Sequence, residues 1–448
     1  MGYRASNATW NRRINISSPN NHEGTSSIML DLRFIREHLD HVKRGAEAKG
    51  ISVEFDRILA LDQKRRDLIQ EGEILKAKRN TVSAEVGKIK KQGGDASAQL
   101  TEMESVKSRI QQIDHELGEV ERNLNALLLT VPNIPHESVP VGKIPADNKL
   151  VYEWGDKPSG DFQMKPHWEI AEKLGIIDFS RGAKVAGAGF PFYVGKGATL
   201  ERALINFFLD QAMGRGYTEL APPIVVNEES ARGTGQIPDK EDLMYIVERD
   251  GLYMIPTAEV PVSNFHRDET FDEKELPIRY AAYTPCFRRE AGSYGKDVRG
   301  LNRLHQFDKV ELVKFVHPNS SYDELELLRQ DAERLLQLLG LPYHTLLMCT
   351  GDMGFTQTKK YDLEAWAPGQ QKWLEVSSCS NFEAFQAKRM NVRFKVSGSK
   401  PEFVHTLNGS ALALPRIVAA LLEHYQTPDG KVIVPKMLHP YTKFEVIG

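Results

Sequence analysis

The run "FRREAGS", Phe287–Ser293, sets two arginines and a glutamate at the end of a stretch that otherwise reads as a strand, "PIRYAAYTPC" from Pro277 to Cys286. A glycine-bearing loop, "GSYGKDVRG", follows, and then a second strand-like stretch, "LNRLHQFDKVELVKF", Leu301–Phe315. Joined by the 291–300 loop, the two segments read as hairpin partners. Side chains alternate between the faces of a strand. Arg288 and Glu290 therefore share a face, as do Arg303, His305, Phe307, Lys309 and Glu311 on the partner. One sheet face then displays Arg288, Glu290, Arg303, Phe307 and Glu311 together. A purely structural role for that set would need buried ion pairs, which are weak stabilisers. A binding role gives each residue a task. Arginine grips a phosphate or carboxylate oxygen bidentately, a phenylalanine face stacks a planar base, and a glutamate holds an ammonium or hydroxyl.

Around this hairpin the chain is mixed. "GATLERALINFFLDQAMGRG" and "YDELELLRQDAERLLQLLGL" have helical apolar stripes. "YTELAPPIVV", "LYMIPTAEVPVSNF", "YHTLLMC", "KKYDLEAWAP", "QKWLEVSSCSNF" and "NVRFKV" read as strands, and "LNGSALALPRIVAALLEHYQ" as a loop followed by a helix. Strands outnumber crossover helices, so the expectation is α+β: an antiparallel sheet flanked by helices. More polar groups gather here. "PTAE" sets Thr257 and Glu259 two apart, on one side if extended. "LEVSS" offers Glu375, Ser377 and Ser378, oxygen ligands that suit magnesium. "NGSALALPR" puts Asn408 and Ser410 before a helix whose first turns carry Arg416, and helix N-termini attract anions. Competing motifs fail. "VGKG" lacks the first glycine of a phosphate-cradling loop and has Gly197 where Ser or Thr belongs. "GAGFPF" has no strand–helix frame. His305, Cys286 and Cys379 read as packing or hydrogen-bonded residues.

The first half differs. Leu61, Leu68, Leu75, Val82 and Ile89 step by sevens, with a weaker row at Ile58, Arg65, Gly72, Arg79 and Val86. "KQGGDAS" interrupts them, and Met103, Val106, Ile110, Ile113, Leu117, Val120, Leu124 and Leu127 follow at spacings of three and four. Two heptad helices across a Gly-Gly turn must lie antiparallel, an arm on the order of 50 Å long. A dimerisation zipper is disfavoured, because the returning helix already covers the seam. Lys76, Lys78, Arg79, Lys88, Lys90 and Lys91 face one acid, Glu85, in the outer part of the first helix. A basic segment on a long lever suits the phosphates of an extended RNA. "MLDLRFIREHLDHVKRGAEAKG" reads as one amphipathic helix (Leu32, Ile35, Leu39, Val42) at the arm's base, and the prolines of "TVPNIPHESVP" mark a boundary near residue 131.

Across 448 residues the net charge is −3, so an RNA partner must be met by such a local surface. No run of eighteen apolar residues predicts a membrane span. Three scattered cysteines argue against a disulfide framework and fit a reducing, cytoplasmic compartment. Residues 1–28, rich in Asn and Ser, read as a disordered extension or as sequence ahead of a natural start at Met29. A transit peptide is the competing reading.

The arm followed by "FRREAG…RGLNRLHQFDKVE" and "LNGSALALPR" resembles the class II aminoacyl-tRNA synthetases. With "TAEVP", "GDMGFTQTKKYDLEAW", "EVSSCSNFEAFQAKRM" and "HTLNGSALALPR", the chain from Met29 onward resembles, more narrowly, the bacterial-type seryl-tRNA synthetase family. The resemblance implies a tRNA-binding arm over 29–130 and a catalytic domain over 131–448. It implies ATP and Mg²⁺ as cofactors, L-serine and tRNA(Ser) as substrates with extension to tRNA(Sec), and a homodimer with "GRGYTELAPP" near its interface. Arg288, Arg303 and Arg416 would be catalytic. Arg288, Arg289, Glu290, Phe307, Glu375, Val376, Ser377, Ser378 and Arg416 would bind the nucleotide, with Glu375 and Ser378 toward the metal. Thr257, Ala258, Glu259, Glu311, Asn408 and Ser410 would frame serine. The zinc-dependent branch is not matched, since its ligand cysteines are missing, and the 28-residue head has no counterpart.

Overall fold

The computed structural model describes residues 32–158, 162–238, 242–290 and 299–448. The expectation for residues 1–28 lies outside them. Among the described residues no helix is long and apolar enough to cross a membrane.

The heptad rows become two antiparallel helices, Phe55–Lys91 and Ser97–Leu128. Leu68, Ile113 and Val120 close one layer of the seam, and Val82, Val86 and Ala96 another near the turn. Gly93 turns the chain with φ of 72°, a left-handed conformation that glycine adopts without a Cβ clash. In the weak row Ile58, Gly72 and Val86 are buried, and polar links from Arg65 and from neighbours of the row cross between the helices. Arg65 pairs with Glu121 at 3.0 Å, and Arg109 grips Glu71 through two hydrogen bonds of 2.7 and 2.9 Å. Lys78 meets Glu102 at 2.7 Å and Lys76 lies 3.9 Å from Asp114. Arg79, Lys88, Lys90 and Lys91 have no ion-pair partner among the described residues.

The amphipathic segment before the arm is two helices rather than one, Leu32–Glu37 and Leu39–Ala48, because His38 leaves helical geometry at φ −129°, ψ 37°. They pack Ile35 and Val42 against Phe55, Ile58, Leu124 and Leu128. The arm's base is then tied to the second half. Lys49 donates to the Phe355 and Gln357 carbonyls at 3.2 and 2.6 Å. Asn133 donates its side-chain amide to the Thr356 and Phe382 carbonyls at 2.9 and 2.8 Å.

An eight-stranded sheet forms the second half. Its spatial order is Lys149–Trp154, Tyr343–Leu347, Lys359–Ala367, Lys372–Asn381, His405–Ala413, Gln306–Val316, Ile278–Phe287 and Thr218–Glu219. Every pairing is antiparallel except the last. The opening segments pair as expected, Phe307 opposite Cys286 and Glu311 opposite Ala282. The "LNGSALA" stretch, expected as a loop, is instead the strand His405–Ala413 in the middle of the sheet. Thr406, Asn408 and Ser410 alternate with Leu407 and Ala411, a period of two that its glycine obscures. Leu407, Ala411, Leu412, Val310, Leu312 and Cys379 join the main core with three helices, Lys196–Met213, Ser321–Leu339 and Leu414–His424. The three cysteines are free and buried, as packing residues are. With one face closed by helices, polar residues of the alternate parity are left to line the other. Further along that open face Val313 and Phe315 pack under Ala258, Val262 and Phe394. Glu311 thus stands where the face changes from a polar cavity to an apolar floor.

Candidate active site

A cavity of about 460 Å³ opens on this face. Arg288, Glu290, Phe307, Lys309 and Glu311 reach it from the opening hairpin, and Asn408 and Ser410 from the central strand. Glu375, Val376, Ser377 and Ser378 come from the next strand, Thr257 and Glu259 from the opposite wall, and Arg416 from the first turns of the Leu414–His424 helix. Glu259 is not extended as expected. It opens a short helix, Glu259–Ser263, whose first turn donates the Glu259 N–H to Thr257 Oγ1 at 3.2 Å.

One end is cationic and aromatic. The Arg288 guanidinium sits over the Phe307 ring, 5.1 Å from its centre, and Nε donates weakly to the Pro256 carbonyl at 3.4 Å. Arg303 lies before the Gln306–Val316 strand rather than on it, yet still lines the cavity, paired with Glu290 at 3.2 Å. His305 turns away, bonding Tyr245 through Nδ1 at 2.6 Å and stacking on Phe190. Arg289 also departs from its expected place. It is absent from the cavity wall and pairs with exposed Asp242 at 2.8 Å; Arg288, Arg289 and Glu290 follow the strand, which ends at Phe287, rather than lying on it. Ala258 is likewise off the wall, its methyl buried in the apolar floor.

Along the floor, Ser378 donates to Asp362 at 2.6 Å and to Glu375 at 3.2 Å. Burial opposes ionisation of Glu375, but Arg416, Lys360 and Arg288 outweigh it and hold the carboxyl below its ordinary range. Burial pushes its neighbour Asp362 up to about 7 despite the Lys360 ammonium at 3.0 Å. Ser377 donates to the Ser410 carbonyl at 2.7 Å, and Val376 turns its side chain into the core.

The other end is small and acidic. Ser410 donates to Glu311 at 3.3 Å. Glu259 accepts from Gln386 at 2.6 Å, and burial together with the Glu311 charge raises its pKa to about 7. Lys309, buried, donates to Thr257 Oγ1 at 2.8 Å and pairs with Glu311. The alternation that selects Phe307 and Glu311 selects Lys309 too, but only the fold shows it bridging two walls. Gln236, Gln357, Lys360, Ser380 and Asn302 line the cavity without any local signal in sequence.

Residues 245–425 match the tRNA synthetase class II core domain (G, H, P, S and T), and residues 29–135 the seryl-tRNA synthetase N-terminal domain. The serine–tRNA ligase of Salinibacter ruber is 55% identical over 94% of this chain and 99% of its own. The chain belongs to the seryl-tRNA synthetase family.

Solved structures agree. The seryl-tRNA synthetase of Pyrococcus horikoshii, complexed with ATP, has a TM-score of 0.88 at 38% identity, covering 94% of this chain and 99% of that one. The cytoplasmic serine–tRNA ligase of Naegleria fowleri, in complex with AMP, has 0.83 at 28%, covering 94% and 98%. As a seryl-tRNA synthetase family member the chain is an enzyme, a ligase, and its sheet is the antiparallel class II sheet. The matched core spans the cavity wall from Pro256 to Arg416, and the N-terminal match spans the long helical arm.

Proposed function

We propose that the chain activates L-serine with ATP to seryl-adenylate and pyrophosphate, then passes the seryl group to the terminal ribose hydroxyl of tRNA(Ser), with extension to tRNA(Sec). The observation that carries this is a single cavity with a cationic, aromatic end and a small acidic end joined by one sheet face. The test is pyrophosphate exchange with ATP, Mg²⁺ and each of the twenty amino acids. Serine is expected to drive exchange well above the rest. Preference for another amino acid, or no exchange with any, would refute the proposal.

In the first step a serine carboxylate oxygen bonds to the α-phosphorus while the bond to the pyrophosphate oxygen breaks. Little covalent help is needed; charge and alignment do the work. Arg288 holds the α-phosphate and Arg416 the γ-phosphate. Glu290 meets the adenine side, and Phe307 stacks on the base. That ring face is covered by the Arg288 guanidinium, so stacking there requires Arg288 to swing toward the phosphate. Glu375 and Ser378 offer hard oxygen ligands, and the lowered pKa keeps Glu375 anionic, which fits Mg²⁺ arriving on the ATP phosphates. No cluster of three metal-binding side chains exists among the described residues, consistent with a metal shared with phosphates rather than caged by protein. Bound there, Mg²⁺ would neutralise phosphate charge.

Thr257, Glu259, Glu311, Asn408 and Ser410 frame serine. A site built to hydrogen-bond its hydroxyl rejects alanine by leaving buried polar groups unpaired. Residues 29–130 serve as the tRNA-binding arm and 131–448 as the catalytic domain of a cytoplasmic homodimer.

The Glu259 carboxyl gives a pH test. Burial and the Glu311 charge push its pKa from 4.5 up to about 7, so the folded protein keeps a proton there until pH approaches that value. That stabilisation is complete below 4.5 and lost as pH rises through about 7. Serine binding has the opposite dependence, because an α-ammonium needs the ionised form. KM for serine is expected to fall as pH rises from about 6 to 8, up to tenfold per unit below the pKa. A flat profile, or one unchanged in Glu259→Gln, would count against this placement.

A further inference from the structure

His167 and Glu423 form an ion-pair geometry with both side chains fully buried, outside the cavity yet wired to it. Among the described residues the Glu423 carboxylate accepts five N–H groups and no ammonium or guanidinium. They are the His167 backbone N–H at 2.9 Å, His167 Nδ1–H at 2.8 Å, the Gly369 and Gln370 backbone N–H groups at 2.9 and 3.1 Å, and Gln370 Nε2 at 2.7 Å. On the far side of the ring, His167 Nε2 lies 2.8 Å from the Leu301 backbone nitrogen. A backbone N–H can only donate, so Nε2 accepts and the ring proton sits on Nδ1, toward Glu423. The imidazole is an oriented acceptor.

What it holds matters for the cavity. Leu301 and Asn302 lead into the Gln306–Val316 strand. The Asn302 carbonyl accepts Arg416 Nε at 3.2 Å, and Arg416 also donates to the Glu375 carbonyl at 2.6 Å. Gln370 closes the circuit, accepting from Asn302 Nδ2 at 2.8 Å. Gly300 approaches the ring so closely that a Cβ there would lie 2.2 Å from Nε2, and its φ of 70° suits glycine. A carboxylate on the last turn of the Leu414–His424 helix is thereby connected, through one imidazole and the backbone of Leu301 and Asn302, to the arginine on its first turn.

We propose that His167 is a positioning residue for nucleotide activation. Held by Glu423, it fixes the Leu301 N–H and through it the Asn302 carbonyl that seats Arg416 beside the phosphates. This rests on the nucleotide reading of the cavity.

The test compares His167→Gln with His167→Asn in the full chain, by pyrophosphate exchange and thermal melting. Gln carries an acceptor to roughly the place of Nε2, whereas Asn reaches only as far as Nδ1. His167→Asn is expected to raise KM for ATP or lower kcat by about 10- to 100-fold with KM for serine little changed, and His167→Gln to recover most of the loss. Glu423→Gln, which preserves volume but halves the acceptor capacity, is expected to show the same ATP-side defect. Equal activity of the Asn and Gln variants, losses that track melting temperature across the series, or an unaltered KM for ATP together with an unaltered kcat in folded Glu423→Gln would overturn the inference. Absence of serine-dependent exchange in the parent protein would instead strike the functional reading.

Discussion

Arg288→Ala is expected to lower serine-dependent pyrophosphate exchange by roughly 10²- to 10³-fold, about 3–4 kcal/mol of transition-state stabilisation. The side chain is half-buried, and among the described residues its one side-chain hydrogen bond is the 3.4 Å contact to the Pro256 carbonyl. Folding therefore gains little from it, and the melting temperature should scarcely move. Its remaining neighbour is the Phe307 face, a cation–π contact that leaves the guanidinium's donors available. A donor so placed strengthens most when charge gathers on the phosphate oxygens during transfer. Lys360 and Arg416 stand on the same wall and supply positive charge of their own, so some activity remains. Arg288→Lys should restore only part of the loss, since an ammonium cannot repeat the bidentate grip of a guanidinium. Ordinary exchange rates in Arg288→Ala would remove it from the reaction.

How Arg288 came to be legible is instructive. Antiparallel pairing has a fixed period of two, so once two charged strands are adjacent, parity selects Phe307 and Glu311, and one residue of slip would send both to the opposite side; Arg288 and Glu290 reach the same cavity from just past the end of the partner strand at Phe287. Parity stops where the strands stop: Arg289 follows Phe287 and its side chain meets Asp242, while Arg303 and His305 precede Gln306 and of those two only Arg303 reaches the cavity. The His405–Ala413 strand eluded local reading because it carries a glycine opposite Leu312 and Cys379, where the Leu328 side chain presses close. Lys309 was visible as a position but not as a bridge, since Thr257 lies 52 residues earlier in the chain. The His167–Glu423 pair spans 256 residues and carries no spacing signal at all. Local chemistry survives in sequence; contacts made only by tertiary closure do not.

The arm offers the second large effect. Replacing residues 76–112 by two glycines would join Leu75 to Ile113, both at the seam, and keep the layer of Leu68, Leu117 and Val120. Pyrophosphate exchange is expected to stay within about twofold, because the removed tip shares no partner with the cavity. Charging of tRNA(Ser) should fall by about 100-fold or more, as an extended phosphate-binding surface disappears. A finer version separates the basic residues by their partners. Lys78 is held by Glu102 at 2.7 Å and Lys76 lies near Asp114, so both stitch the two helices together. Arg79, Lys88, Lys90 and Lys91 have no such partner among the described residues, and the last three sit in the final turn of their helix. Changing those four to glutamine should reduce the salt dependence of tRNA binding by about one unit of slope for each phosphate that is no longer neutralised. Changing Lys76 and Lys78 should alter it less and loosen the hairpin more. Charging that survives removal of the tip, with an unchanged salt slope, would mean that the basic face meets something other than the substrate tRNA.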